Sequence, residues 1–148
     1  MNVALFEKVI EAITEEPKRL DIWQWQNMVG PYANYGPACG VIGCIAGWGD
    51  ILSHTEGNKS VEAIKNAVVE IREEENERLT SVRQRAQEAF EITREEAGRL
   101  FAPQAWPEDL QQDLNLTTPG TPEHANAVVK AIRQFIDDPD KFSKFEED

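Results

Sequence analysis

Residues 37–52 read PACGVIGCIAGWGDIL, a stretch that is apolar or small at almost every position. On a helix that turns about 100° per residue, Gly40, Gly43 and Gly47 fall together with Gly36 in a narrow stripe. The larger apolar side chains cover most of the remaining surface. Because a helix that is apolar nearly all round is normally buried, the stretch predicts a buried central helix over 37–52, rich in Gly, Ala and Cys.

The glycines of this helix need a reason, because each interior glycine costs about 1 kcal/mol of helix propensity relative to alanine. Close approach of another backbone would offset that cost, since only glycine leaves the space for it. We therefore expect a second segment to pack across Gly40, Gly43 and Gly47. A flat ligand lying along the same stripe is the alternative.

The rest of the chain is typical of amphipathic helices joined by short turns. Capping residues mark four helix starts, at Ser60, at Thr80 or Ser81, at the Thr93-x-x-Glu96 capping box, and at Thr121-Pro122-Glu123. No alternating strand pattern competes with the helical spacing. We expect an all-α fold, a single compact bundle of about seven unequal helices over residues 1–138 with an acidic tail over 139–148. Its seven main predicted helices are 3–16, 37–52, 60–78, 81–90, 93–101, 107–114 and 121–138, and residues 20–28 could form a further short one.

Charge and composition exclude several classes of function. The 148 residues contain 15 Lys and Arg against 27 Asp and Glu, a net charge of −12. Direct binding to nucleic acid or to an anionic membrane is disfavoured, because both need a basic face. The segment 81–101 has the outline of a helix–turn–helix, but glutamates offset its arginines, so a simple helical hairpin is expected.

Location and cofactors are predicted from what the sequence lacks. It has no apolar run of about 18 residues and no basic start of a signal peptide, so we expect a cytoplasmic protein. Two cysteines make no disulfide framework. The cysteines and histidines at 39, 44, 54 and 124 have none of the usual zinc spacings, so neither a metal nor another cofactor is expected.

Residues 22–58 differ from the charged helices around them. They contain no Lys or Arg, but seven of the nine glycines, both cysteines, three of the four tryptophans and both tyrosines. Aromatic side chains stack on planar ligands and anchor protein partners, whereas the plainer alternative is that they fill the core. The candidate binding residues are Trp23, Trp25, Tyr32, Tyr35, Gly40, Gly43, Gly47 and Trp48.

A nucleotide ligand would need partners for its phosphates as well as a platform for its base. Helix N-termini can supply them. Basic side chains from outside the segment are the other source, and the candidates are Arg83, Arg85, Lys130 and Arg133. In a homo-oligomer, one chain would supply the aromatic residues and another the arginines.

A cysteine-dependent hydrolase is an alternative. The string Gly36-Pro37-Ala38-Cys39-Gly40 resembles the nucleophile turn of papain-like cysteine peptidases, and a helix start lowers the pKa of a thiol. The base would be His54 or His124. The plainer interpretation is that Cys39 and Cys44 are small buried thiols.

The acidic surface offers a third interpretation. Its plain role is solubility. Its functional role would be that of a decoy, which occupies the basic groove of a host factor that binds nucleic acid.

Several motifs occur together over roughly residues 17–136. They are Lys18-Arg19-Leu20 with Trp25, Cys39-Gly40, Cys44-Ile45-Ala46-Gly47-Trp48, Ile92-Thr93 with Glu96-Ala97, Leu100-Phe101, Trp106-Pro107 and Thr121-Pro122-Glu123. With them the chain resembles a family of small uncharacterised bacterial and phage proteins. It departs from that pattern at Phe90-Glu91-Ile92, where the turn glycine is missing, and at Gly49, where alanine is more usual. The resemblance implies no activity, but it implies a phage or mobile-element accessory protein in a bacterial host.

The sequence thus favours a non-catalytic binding protein of the counter-defence type. It would sequester a small molecule or dock a host protein through residues 22–58. The hydrolase and the acidic decoy stay open beside it.

Overall fold

The structure is a computed structural model that describes residues 1–28, 41–78 and 80–142. The described part is an all-α fold with seven α-helices and one pair of three-residue strands. The elements in chain order are α1 (Val3–Glu15), β1 (Gln26–Met28), β2 (Val41–Gly43), α2 (Ile45–His54), α3 (Val61–Arg78), α4 (Val82–Phe90), α5 (Arg94–Phe101), α6 (Glu108–Asn115) and α7 (Pro122–Asp137).

Helix α2 is the buried centre of the bundle. Every residue from Ile45 to Leu52 is buried, and α1, α3 and α4 pack around this helix. The prediction of a buried, Gly/Ala/Cys-rich central helix is confirmed, but the predicted start of the helix is wrong. It begins at Ile45 rather than at residue 37, because residues 41–43 are extended and pair with β1. Residues 29–40, which include the predicted start of this helix, lie outside the described part.

The short helix predicted over 20–28 is also wrong. Residues 22–23 form a turn, and Gln26–Met28 is strand β1, antiparallel to β2 with Gln26 opposite Gly43. This pairing could not be predicted from the sequence, because three residues are too short to show an alternating pattern. The pair of strands brings the chain around residue 25 against the start of α2.

The predicted caps are confirmed, which explains where four helices begin. The side-chain oxygen of Ser60 accepts a hydrogen bond from the Ala63 amide at 3.2 Å. Ser81 caps α4, Thr121 caps α7, and Thr93 with Glu96 forms the capping box of α5. Each cap satisfies an amide that the helix itself leaves without a partner. Helices α4 and α5 form the predicted hairpin, and Glu91 joins them in the left-handed conformation at φ 57°.

Aromatic rings join the two ends of the chain in the core. Phe6 of α1 stacks on Phe90 of α4 with ring centroids 4.0 Å apart, and Phe135 of α7 lies 6.0 Å from Phe6. Phe142, in the segment predicted to be a tail, is fully buried edge-on against Phe135. The first part of that segment therefore packs on the bundle. None of the described helices is long and apolar enough to cross a membrane.

Candidate binding site

A cleft lies beside the turn that carries the two tryptophans. Its volume is about 220 Å³. Trp23 and Trp25 form one side, α5 and the residues after it form the other side through Phe101 and Pro103, and Arg83 reaches in from α4. Trp23 is 59% exposed and Trp25 is 47% exposed, so both indole rings border the cleft without being covered.

Hydrogen bonds of Asp21 hold the turn that carries Trp23. Its carboxylate accepts from the Trp23 amide at 3.0 Å and from the Gln24 side-chain amide at 2.8 Å. Its own amide donates to the Gly43 carbonyl at 3.1 Å, which ties the turn to β2. An aspartate that bonds the backbone two residues on is a standard way of fixing a turn.

The backbone at Trp25 is fixed by the close packing of two glycines. A Cβ on Gly43 would stand 2.8 Å from the Trp25 carbonyl oxygen, and a Cβ on Gly47 would stand 1.7 Å from it. The expected backbone approach is therefore confirmed for Gly43 and Gly47. The Trp25 carbonyl occupies the space in which the alternative placed a flat ligand, so these two glycines do not face a ligand. Gly40 lies outside the described residues.

Cys44 is one of the residues that line the cleft, and it is 3% exposed. Burial raises the pKa of its thiol to about 11, because the thiolate would lose its hydration there. Its Sγ lies 3.8 Å from the Trp25 carbonyl oxygen. The thiol is therefore protonated at neutral pH, and it acts as a small apolar side chain in the lining of the cleft.

A buried polar cluster includes Gln26, the residue that follows Trp25, and the sequence pattern did not predict it. The Asp50 carboxylate is fully buried and accepts from Nε and Nη2 of Arg85 at 2.9–3.1 Å. Gln26 of β1 donates from Nε2 to Asp50 at 3.0 Å and to the Gly47 carbonyl at 3.1 Å. The cluster thus joins α2, α4 and β1. One feature of the sequence could have predicted a buried polar group here, because Asp50 is an isolated acid in the otherwise apolar stretch 37–52.

The basic residues considered for phosphate binding separate into two groups. Arg85 is committed to Asp50 in the interior, Lys130 pairs with Asp113 at 2.8 Å, and Arg133 pairs with Glu7 at 2.9 Å. Arg83 alone of the four lines the cleft. Its Nη2 atom lies 3.0 Å from the position of a Cβ on Gly98, so the glycine gives the guanidinium room.

The prediction that Trp48 is a binding residue is wrong, because its side chain is in the core. It is fully buried, and its indole N–H donates to the Arg19 carbonyl at 2.7 Å. Its role is to fill the core, as the plainer alternative for the aromatic residues predicted. Tyr32 and Tyr35 lie outside the described residues, so of the aromatic candidates the structure brings together Trp23 and Trp25.

The two histidines proposed as bases are engaged elsewhere. His124 is 1% exposed, its Nε2 accepts from the Ile22 amide at 3.3 Å, and burial lowers its pKa. His54 ends α2, where its Nδ1 lies 2.8 Å from the Asp50 carbonyl oxygen and its Nε2 lies 3.3 Å from Glu74. Cys39 lies outside the described residues. Both imidazoles therefore already have hydrogen-bond partners. The described part holds no cluster of three or more His, Cys, Asp or Glu side chains that would fit a metal ion.

Comparison with known proteins adds nothing to this geometry, because no family model, curated protein or solved structure matches the chain.

Proposed function

We propose that the chain is a non-catalytic binding protein that holds a small planar molecule in the cleft beside Trp23 and Trp25. The observation that carries the proposal is the exposure of both tryptophans at a concave surface. The same fold buries Trp48 and Trp106 completely, so it has the means to cover an indole ring. Burying one indole ring would stabilise the fold by roughly 2 kcal/mol or more. The fold does not gain this stabilisation at Trp23 and Trp25, because both rings stay exposed at the cleft.

The composition of the cleft supports the same proposal. Ligand sites are concave and mostly apolar, with a few polar groups that fix orientation. Ile22, Cys44 and Phe101 supply apolar surface, and Arg83 supplies a charged group. An indole face stacks on a planar ring, and offset stacking is worth about 0.5–1.5 kcal/mol beyond the area that is buried.

The rigidity of the cleft favours binding without a conformational change. Asp21 fixes the turn at Trp23, and Gly47 fixes the backbone at Trp25. The buried Asp50–Arg85 pair holds β1 through Gln26 behind them. A preformed site loses less side-chain and loop entropy when the ligand binds, so more of the contact energy appears as affinity.

The resemblance to bacterial and phage proteins supports an accessory role of the counter-defence type. In that role the chain would sequester a small molecule or dock a host protein, and either action needs affinity rather than a catalytic group. A host protein is the second candidate occupant, because tryptophans are enriched among the residues that carry binding energy in protein interfaces. The concave shape of the surface favours the small molecule.

Tryptophan emission tests the proposal. The native protein is mixed with a deproteinised extract of bacterial cells and compared with the double variant Trp23→Ala/Trp25→Ala. We expect quenching or a blue shift in the native protein and no change in the variant, in which the buried Trp48 and Trp106 remain as internal controls. Both replaced side chains are substantially exposed, so the variant should keep the circular dichroism spectrum of the native protein.

Two outcomes would contradict the proposal. An equal response in both proteins would place binding away from the cleft. No response to the extract, together with a response to a protein fraction of the same cells, would replace the small molecule by a protein partner.

A further inference from the structure

A second cleft adjoins the one described above, and the two share Arg83. The second cleft has a volume of about 430 Å³ and lies over the α4–α5 hairpin. Its lining is polar and consists of Ser81, Arg83, Gln84, Gln87, Glu88 and Arg94. The polar cleft therefore adjoins the aromatic cleft at Arg83, the residue that their linings share.

The two arginines of the polar cleft have no ion-pair partners among the residues that the structure describes. The chain contains 27 acidic residues, and four of its other arginines form ion pairs with them. Arg19 pairs with Glu16, Arg72 with Glu75, Arg85 with Asp50 and Arg133 with Glu7. Arg83 and Arg94 are both exposed and converge on one concave surface. Their charges are therefore available to an anion from solution.

The sizes of the two clefts favour a ligand that occupies both of them over one confined to the aromatic cleft. Pockets for small molecules usually measure about 300–1,000 Å³, and the aromatic cleft alone falls below that range at about 220 Å³. The polar cleft supplies the missing room. A ligand that fits the pair has an aromatic part for Trp23 and Trp25 and an anionic part for Arg83 and Arg94.

The net charge of the polar cleft limits how many phosphate groups the anionic part of the ligand can carry. Two guanidinium groups and the Glu88 carboxylate leave one net positive charge. This suits one phosphate group better than a chain of phosphates. Guanidinium groups bind phosphate oxygens in a bidentate manner, and an indole face stacks on any of the bases.

We propose that the ligand is a nucleoside monophosphate, whose base stacks at Trp23 and Trp25 and whose phosphate lies between Arg83 and Arg94. This inference rests on the proposed function and names the ligand class for the same site. The glutamine amides of Gln84 and Gln87 are the further donors within the polar cleft.

Calorimetric titration tests the inference. The probes are AMP, GMP, CMP and UMP, and the affinity of each is compared with that of the nucleoside that lacks its phosphate. We expect at least one monophosphate to bind tenfold or more tightly than its nucleoside, because hydrogen bonds to charged groups contribute that much or more. Arg83→Gln and Arg94→Gln should each remove most of the difference. Arg133→Gln is the matched control, since it removes an arginine that pairs with Glu7 outside both clefts, and it should leave the difference unchanged.

The outcomes separate this inference from the proposed function. Equal affinities for monophosphate and nucleoside, or a difference that survives Arg94→Gln, would overturn the phosphate assignment while the aromatic cleft still binds. No binding of any of the eight probes by a protein that responds to the cell extract would overturn the ligand class alone. No response in either experiment would overturn both proposals.

Discussion

The carbonyl oxygen of Trp25 lies so close to Gly47 that a Cβ added to the glycine would stand 1.7 Å from it. This contact joins the fold to the candidate site. Gly47 belongs to the buried helix α2, whereas the side chain of Trp25 borders the cleft. The same backbone approach that packs the core therefore positions the indole ring for binding.

Gly47→Ala should destabilise the protein by about 1–3 kcal/mol or more, because the new methyl group meets the Trp25 backbone in a closely packed core. Gly98→Ala is the matched control, since that helical glycine has only the flexible end of Arg83 within 4 Å. The control should leave stability unchanged or raise it by up to about 1 kcal/mol through helix propensity. Urea unfolding measures both variants, and equal stability of the two would contradict the packing that we describe.

Arg85→Met should cost about 3–5 kcal/mol of unfolding free energy, because it leaves the buried Asp50 carboxylate without its charged partner. Arg133→Gln breaks a pair with Glu7 at the surface and should cost less than about 1 kcal/mol. The comparison uses the same urea unfolding curves. If the two variants lost similar stability, the Asp50–Arg85 pair would not be the central polar link of the bundle.

His124 should make the protein less stable in mild acid. Burial lowers its pKa in the folded chain below the usual 6.5, so the unfolded chain binds the extra proton more readily. Its contribution is therefore fully present above pH 6.5 and is lost as the pH falls from 6.5 through the folded value. Nuclear magnetic resonance titration of the imidazole checks this directly, with the urea-unfolded chain as control. A folded pKa at or above that of the unfolded chain would contradict the buried, neutral imidazole.

Cys44 should alkylate slowly although it lines a cleft. Its thiol pKa of about 11 leaves a thiolate fraction over 100-fold smaller at pH 7.5 than that of a free cysteine with a pKa near 8.5. Labelling of a Cys39→Ser variant with iodoacetamide isolates this thiol, and the urea-unfolded variant gives the reference rate. Labelling at the reference rate in the folded state would show that the thiol is neither buried nor protonated as described.

Helix content and helix starts are predictable from this sequence, because both depend on local signals. Ser60, Ser81, Thr93 and Thr121 each cap the helix that follows, and each can be recognised from the residues beside it. The Cys44–Trp48 motif likewise marks the buried helix. The missing turn glycine at 91 did not prevent the α4–α5 hairpin, since Glu91 itself adopts the left-handed conformation.

The site is only partly predictable, because its walls come from distant parts of the chain. Trp23 and Trp25 stand out in the sequence, whereas Phe101 and Pro103 face them only after the hairpin has packed on the bundle. Trp48 was a candidate because it is one of the aromatic residues of the segment 22–58, and it is in fact part of the core. Arg83 and Arg85 are two residues apart, yet Arg83 borders the cleft and Arg85 is buried. This difference cannot be predicted from the local sequence, because Arg85 is buried against Asp50 of a distant helix.

The most direct test of the central claim is native mass spectrometry of the protein after incubation with deproteinised bacterial extract, beside the Trp23→Ala/Trp25→Ala variant. The account predicts an added mass on the native protein that is lost on denaturation and is absent from the variant. The value of that mass identifies the molecule, and the same spectrum gives the number of chains. The bare chain mass in both proteins, or the same added mass in both, would contradict a binding cleft at Trp23 and Trp25.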